Sequence, residues 1–109
     1  MDISPARISV PTEAKKGDII AIKTLFRHPM ETGYRVDRYG KPIPRRIVKR
    51  FSVTYAGDVV FAMDFTQGVA ANPFIAFHTV AVETGEIVFV WEDDQGKIVT
   101  ERRTLTVAR

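Results

Sequence analysis

Apolar and polar side chains alternate along most of this chain, which is the pattern of strands that turn one face toward a core. The clearest segment is 47–55, where Phe51, Val53 and Tyr55 share one parity and polar side chains occupy the positions between them. The other predicted strands cover residues 7–10, 18–26, 59–65, 74–82, 86–92 and 97–107. Within 59–65 we expect Val59, Phe61, Met63 and Phe65 to share one face.

Turn chemistry separates most of these strands. Ala56-Gly57-Asp58 predicts a tight turn, and Asp93-Asp94-Gln95-Gly96 is the strongest turn signal in the chain. No segment shows a sustained helical period with caps. The pattern therefore predicts an all-β, immunoglobulin-like sandwich of about seven antiparallel strands, in one domain covering residues 1–109. The chain lacks the two cysteines of antibody domains, so the fibronectin-III type is the closer analogy.

One irregular segment, residues 27–46, interrupts the strands. A loop of this length in so small a domain is usually functional or disordered. Basic side chains are concentrated in and just after it, since residues 35–50 contain seven of them against Asp37 alone. We expect Arg38, Lys41, Arg45 and Arg46 to form a solvated loop or a surface that faces an acidic partner or an anion.

Candidate chemistry in the chain is sparse. The absence of cysteine excludes a thiol nucleophile, a disulfide and a thiolate metal site. His28 and His78 are fifty positions apart. His78 shares parity with Phe74 and Val80, which favours a packed or edge histidine over a metal ligand. No serine lies in a nucleophile pattern. We therefore expect no enzyme, no metal and no cofactor.

Other classes of partner are weakly indicated. The sequence pI of about 9.4 permits nucleic-acid binding, and Tyr34, Tyr39 and Phe51 flank the basic segment. However, the net charge is only +3 and most other aromatic residues follow the core parity. No apolar run approaches the roughly 18 residues of a membrane span. The N-terminal residues lack a secretory signal pattern, which by itself favours the cytoplasm or export by another route.

Two sequence blocks carry a specific resemblance. They are His-Pro-Met-Glu-Thr-Gly at 28–33 and Gly-Lys-Pro-Ile-Pro-Arg at 40–45, followed by Asn72-Pro73-Phe74 and by Trp91-Glu92-Asp93-Asp94-Gln95-Gly96. Together, and in this order, they resemble the SoxZ family over nearly the whole chain from about Lys15. The family resemblance implies an immunoglobulin-like, non-catalytic subunit of a sulfur-oxidation carrier complex.

The same resemblance implies a partner and a compartment. SoxZ proteins pair with SoxY, whose cysteine lies on a flexible arm and carries sulfur intermediates of thiosulfate or sulfide oxidation. The implied compartment is the periplasm, reached by export together with the signal-bearing partner, with transient contacts to other Sox enzymes. From their position in the loops, the expected partner contacts are Arg27, His28, Pro29, Met30, Glu31, Asn72, Pro73 and Phe74.

Two alternatives remain open on the sequence. The first is an enzyme in which His28 acts with Glu31 as an acid–base pair. The second is a generic immunoglobulin-like binding module without any role in sulfur metabolism.

Overall fold

The computed structural model describes residues 6–28, 30, 34, 36–44, 47–65 and 72–109. These residues form eight strands in two sheets. The strands are β1 (Ala6–Ser9), β2 (Glu13–Lys15), β3 (Ile19–Phe26), β4 (Val48–Tyr55), β5 (Asp58–Asp64), β6 (Phe74–Val80), β7 (Gly85–Asp93) and β8 (Ile98–Ala108). This part of the chain contains no helix long and apolar enough to cross a membrane.

The two sheets differ in size. The smaller sheet has the order β1-β3-β6, and the larger has the order β2-β8-β7-β4-β5. All pairings are antiparallel except that of β2 with β8. The predicted all-β sandwich is confirmed. The strand that the pattern missed is β2, whose three residues are too few to show an alternation.

The core lies between the sheets and is filled by one parity of each long strand. Ile20, Ile22 and Phe26 of β3 are buried, as the sequence predicts. Thr24 is also buried, and its hydroxyl donates a hydrogen bond to the Ile75 carbonyl at 3.2 Å. The larger sheet contributes Phe51, Val53 and Tyr55 from β4, Ile87, Phe89 and Trp91 from β7, and Leu105 from β8.

Aromatic rings join the two sheets across this core. Phe26 of β3 stacks on Trp91 of β7 with ring centroids 4.8 Å apart, and Phe51 of β4 stacks on Trp91 at 4.9 Å. A second contact between the sheets pairs Phe61 of β5 with Phe77 of β6 at 4.6 Å. Each such pair contributes about 0.5–1.5 kcal/mol beyond its buried area. The rings therefore hold the sheets in one relative position.

The predicted common face of 59–65 is wrong at Val59. Phe61 pairs with Val53 and Val59 pairs with Thr54, so that Val60 is an extra residue in the β5 ladder. A bulge of this kind shifts the parity of the residues beyond it. Val59 consequently points outward and is 66% exposed, whereas Phe61 stays against the core.

Strand β6 is apolar on both faces, and the structure decides which face is internal. Ile75 and Phe77 pack against the core. Phe74 and Val80, together with His78 between them, point outward. His78 therefore lies exposed on an edge strand, in line with the predicted edge position, and its apolar neighbours of the same parity do not belong to the core.

The Tyr55 hydroxyl ties the end of β4 to the connection between β6 and β7. It donates to the Glu83 carbonyl and accepts hydrogen bonds from the Val82 and Glu83 amides at 3.2 and 3.1 Å. Tyr55 itself is only 3% exposed. This one hydroxyl thus forms hydrogen bonds with three backbone groups of the connection between β6 and β7, which would otherwise need separate partners.

Tyr55→Phe should lower the free energy of unfolding by about 1–3 kcal/mol, because it leaves those backbone groups without their partner. Urea unfolding measures the change. Tyr39→Phe is the matched control, since Tyr39 is 75% exposed. Equal stability of the two variants would contradict this role of Tyr55.

Candidate functional site

Two segments that the sequence analysis selected meet at one end of the sandwich. The backbone amide of His28 donates to the Asn72 side-chain oxygen at 3.0 Å, and the Asn72 amide donates to the His28 carbonyl at 2.8 Å. Next to this pair, the Phe26 amide donates to the Pro73 carbonyl at 3.1 Å. The β3–β6 ladder therefore continues beyond its last strand residues and joins segments that are 44 positions apart.

Asn72 suits this position for two physical reasons. Its backbone is left-handed, with φ of 53°, a conformation that asparagine tolerates better than most other side chains. Its short side chain also carries the oxygen that accepts the His28 amide. Pro73 then fixes an extended entry into β6 and is itself buried.

His28 is an internal member of this site. It is 7% exposed, and its ring stacks on Phe26 with centroids 6.1 Å apart. Its Nδ1 atom accepts a hydrogen bond from the Met30 amide at 3.0 Å. Met30 is 5% exposed, and its sulfur accepts the Val48 amide at 3.3 Å. The first residues of the long loop are thus attached to β3 and to the start of β4.

The predicted partner contacts divide by burial. Arg27, Asn72 and Phe74 are exposed, whereas His28, Met30 and Pro73 are buried. Pro29 and Glu31 lie outside the described residues. The exposed members are accessible to another protein, whereas the buried members are not.

Residues 36–42 form a small hairpin that carries part of the predicted basic segment. Val36 and Pro42 form the β-bridge of this hairpin. The Asp37 carboxylate accepts hydrogen bonds from the Tyr39 and Lys41 amides at 2.8 and 3.0 Å. We call residues 36–42 the basic hairpin. Arg38 lies over the Tyr39 ring at 5.0 Å from its centroid, and both Arg38 and Lys41 are exposed. Arg45 and Arg46 fall outside the described residues.

A turn of the same kind connects β7 and β8. The Asp93 carboxylate accepts hydrogen bonds from the Gln95 and Lys97 amides at 2.9 and 2.8 Å, and Gly96 has a φ of 85°. Asp94 accepts a hydrogen bond from the Ile47 amide at 3.2 Å, so both carboxylates bind backbone groups. The shared pattern Asp-x-x-Gly-Lys at 37–41 and 93–97 was the signal for the first hairpin, which the sequence analysis missed.

An apolar surface on the smaller sheet was not among the predicted sites. We call the outward side of β1, β3 and β6 the outer face. Ile19 is 73% exposed there, Phe74 62% and Val80 46%. Its residues are Arg7, Ser9, Ile19, Ala21, Lys23, Leu25, Phe74, Ala76, His78 and Val80. Segments that are apolar on both parities were the available signal, because such strands have contacts on both sides.

The described residues contain no candidate metal-binding cluster. No group of three or more histidine, aspartate or glutamate side chains converges there in a way that could hold a metal ion. His78 lies opposite Ala21 in the middle of the β3–β6 ladder, whereas His28 follows the end of β3 and points into the core.

Comparison with known proteins gives one family and a shared fold. The family described as sulphur oxidation protein SoxZ matches residues 8–104. No curated protein matches the chain by sequence. The sulfur carrier protein SoxY from Chlorobium limicola has a similar structure, with a TM-score of 0.68 and 15% identity over 98% of this chain and 82% of that one.

Superoxide reductases have the same architecture. A neelaredoxin variant from Ignicoccus hospitalis superposes with a TM-score of 0.75 and 13% identity over 96% of this chain and 81% of that one. A putative superoxide reductase from Thermotoga maritima superposes with a TM-score of 0.72 and 15% identity over 95% of this chain and 86% of that one. At these identities the likeness concerns the fold alone, and one fold supports unrelated functions.

The link between His28 and Asn72 can be tested by paired substitutions. Asn72→Ala removes the acceptor and strains the left-handed backbone, so we expect a loss of about 1–3 kcal/mol in the free energy of unfolding. Asn72→Asp keeps an acceptor oxygen and should lose much less. Urea unfolding and hydrogen exchange of the His28 amide measure the effect. Equal losses in both variants would show that the side-chain bond is unimportant.

Proposed function

Because this chain belongs to the SoxZ family, we propose that it is the scaffold subunit that binds a SoxY-like sulfur carrier and helps to present its cysteine-bearing arm. In this proposal the reactive thiol belongs to the partner, and the chain performs no catalysis. The observation that carries the proposal is that the His28 and Asn72 segments, both part of the family resemblance, converge at one end of the sandwich.

The composition of the chain supports a scaffold beside a reactive thiol. A second thiol near the carrier cysteine would be open to thiol–disulfide exchange and mixed disulfides. This chain has no cysteine, so it offers no such competitor. A cysteine-free surface can therefore lie next to a sulfur-loaded arm without drawing the sulfur away from it.

The environment of His28 supports a structural role over an acid–base role. Its ring is buried against Phe26, and its Nδ1 atom is already engaged by the Met30 amide. A general base needs a nitrogen within reach of the substrate's proton. We propose that His28, Met30 and Pro73 shape the loop end, and that Arg27, Asn72 and Phe74 contact the partner.

The basic hairpin suits a different task. Arg38 and Lys41 are exposed at a tip that the Asp37 turn holds in place. Exposed charge of one sign mainly raises encounter rates with ions or surfaces of the opposite sign. We propose that these residues, with Arg45 and Arg46, attract anionic sulfur compounds or acidic surfaces of other Sox enzymes during transient contacts in the periplasm, where the complex would work after joint export.

The partner proposal predicts a stable complex. Co-expression with a tagged SoxY-like subunit from the same source should yield a one-to-one heterodimer on size exclusion with light scattering at micromolar concentration. The isolated chain should give no turnover of thiosulfate or sulfide, whereas the heterodimer should support oxidation when the other Sox enzymes are supplied. Recovery of free monomers only would contradict the proposal and favour a generic binding module.

The role of the basic hairpin predicts a salt-dependent rate. Replacing Arg38 and Lys41 together by alanine should slow oxidation in the reconstituted system about 3–10-fold at low ionic strength. The difference should shrink toward 1 M salt, where the Debye length is roughly 3 Å. The control replaces Lys15 and Lys16, which are exposed just before β3, at the end of that strand away from the long loop. A defect that does not depend on salt would contradict electrostatic steering.

A further inference from the structure

The outer face is unusual for a surface exposed to water. Ile19, Leu25, Phe74 and Val80 lie on adjacent strands, with Cα pairing of Ile19 to Val80 and of Leu25 to Phe74. Between these pairs Ala21 faces His78 and Lys23 faces Ala76. The outer face therefore has an apolar pair at each end of the β3–β6 ladder, with one lysine and one histidine between them. Exposed apolar side chains grouped on one sheet face often mark interaction sites.

The charges on the outer face have one sign. Among its ten residues, all of which the structure describes, none is acidic. Arg7 lies opposite Leu25, and Lys23 lies opposite Ser9 on one side and Ala76 on the other. Arg27 follows β3 with the same parity and is exposed. The positive charges are therefore concentrated toward the loop end, which favours a partner with carboxylates at the matching positions.

A shallow depression lies where the charged and apolar parts meet. It has a volume of about 260 Å³, and its walls come from all three strands of the smaller sheet. The lining residues of the outer face are Arg7, Ser9, Lys23, Leu25 and Phe74. Binding energy at protein interfaces concentrates where a side chain of one partner fills such a pocket of the other.

The size of the outer face indicates how far an interface must extend. Three strands about 4.8 Å apart and seven residues long, at roughly 3.3 Å per residue, give about 300 Å² of projected area. A stable interface typically buries about 800 Å² per partner. The interface must therefore continue past Phe74 to the loop end, where Arg27 and Asn72 are exposed.

We propose that the outer face is the docking surface for the SoxY-like subunit. An apolar side chain of the partner fills the depression beside Phe74, and carboxylates of the partner face Arg7 and Lys23. The location at the loop end is what favours this occupant, because the exposed residues of the predicted partner set, Arg27 and Phe74, border or belong to the outer face. This inference rests on the proposed function, since it names the surface through which the heterodimer forms.

Charge insertion tests the docking surface directly. Phe74→Glu and Val80→Glu each place a carboxylate on the outer face at positions that tolerate it in the free chain, because both side chains are partly exposed. We expect each to weaken binding to the SoxY-like subunit at least about tenfold, as at interface hot spots. The matched controls are Val59→Glu and Ile98→Glu on the larger sheet, which are 66% and 58% exposed in the wild type.

Binding is measured by titration calorimetry, with thermal melts to verify folding. If the wild-type chain does not bind at all, the proposed function fails. If the wild type binds but Phe74→Glu and Val80→Glu bind equally well, only the docking surface is wrong. If the control variants weaken binding instead, the larger sheet is the interface. If light scattering shows dimers of the chain alone that Phe74→Glu dissociates, the face pairs with a second copy and the proposal is overturned.

Single cysteines provide a second measurement that does not depend on weakening the complex. Because the chain has no cysteine, Ala76→Cys introduces a unique thiol on the outer face. Ile98→Cys is the control on the larger sheet. With the partner's own cysteine alkylated beforehand, maleimide labelling of Ala76→Cys should slow at least about tenfold in the complex, in keeping with burial in the interface core. Unchanged labelling in a complex that has formed would overturn the proposal.

Discussion

The stacking of Phe26 on Trp91 is the contact on which the rest of this structure depends. Phe26 comes from the smaller sheet and Trp91 from the larger, and both rings are buried. Phe51 continues the stack on one side and His28 on the other. Core packing and the loop end are therefore parts of one continuous set of rings, so the position of the candidate site is determined by the same contacts that hold the sandwich together.

This arrangement explains how a small domain without disulfides can provide a defined surface. In the buried half of the site, the His28 Nδ1 atom, the Met30 sulfur and the Pro73 carbonyl each accept a hydrogen bond from a backbone amide of the chain itself. The exposed half, Arg27, Asn72 and Phe74, is then presented from a fixed backbone. A preorganised surface loses less conformational entropy when it binds. A surface of this kind fits the proposed function, in which the partner supplies the reactive group.

The sandwich presents two surfaces of different character, the outer face and the basic hairpin. The outer face combines exposed apolar pairs with positive charge, which suits a lasting association in which apolar area is buried. The basic hairpin is charged and lies on a tip held by the Asp37 turn, which suits brief electrostatic encounters. The proposed function uses both kinds of contact, one with a lasting partner and one with transient partners.

The sequence by itself determined the features that depend on neighbouring residues. Alternation with a period of two located the long strands, and Ala56-Gly57-Asp58 and Asp93-Asp94-Gln95-Gly96 located two of the turns between them, because strand parity and turn conformation are local properties. Tertiary structure decided what local patterns leave open. Phe74 and Ile75 are both apolar, and only packing against the larger sheet made Ile75 internal. The Val60 bulge depends on pairing with β4, and the meeting of His28 with Asn72 depends on β3 lying beside β6. Such pairings join distant residues through the combined energy of the whole core, which no short segment of the chain contains.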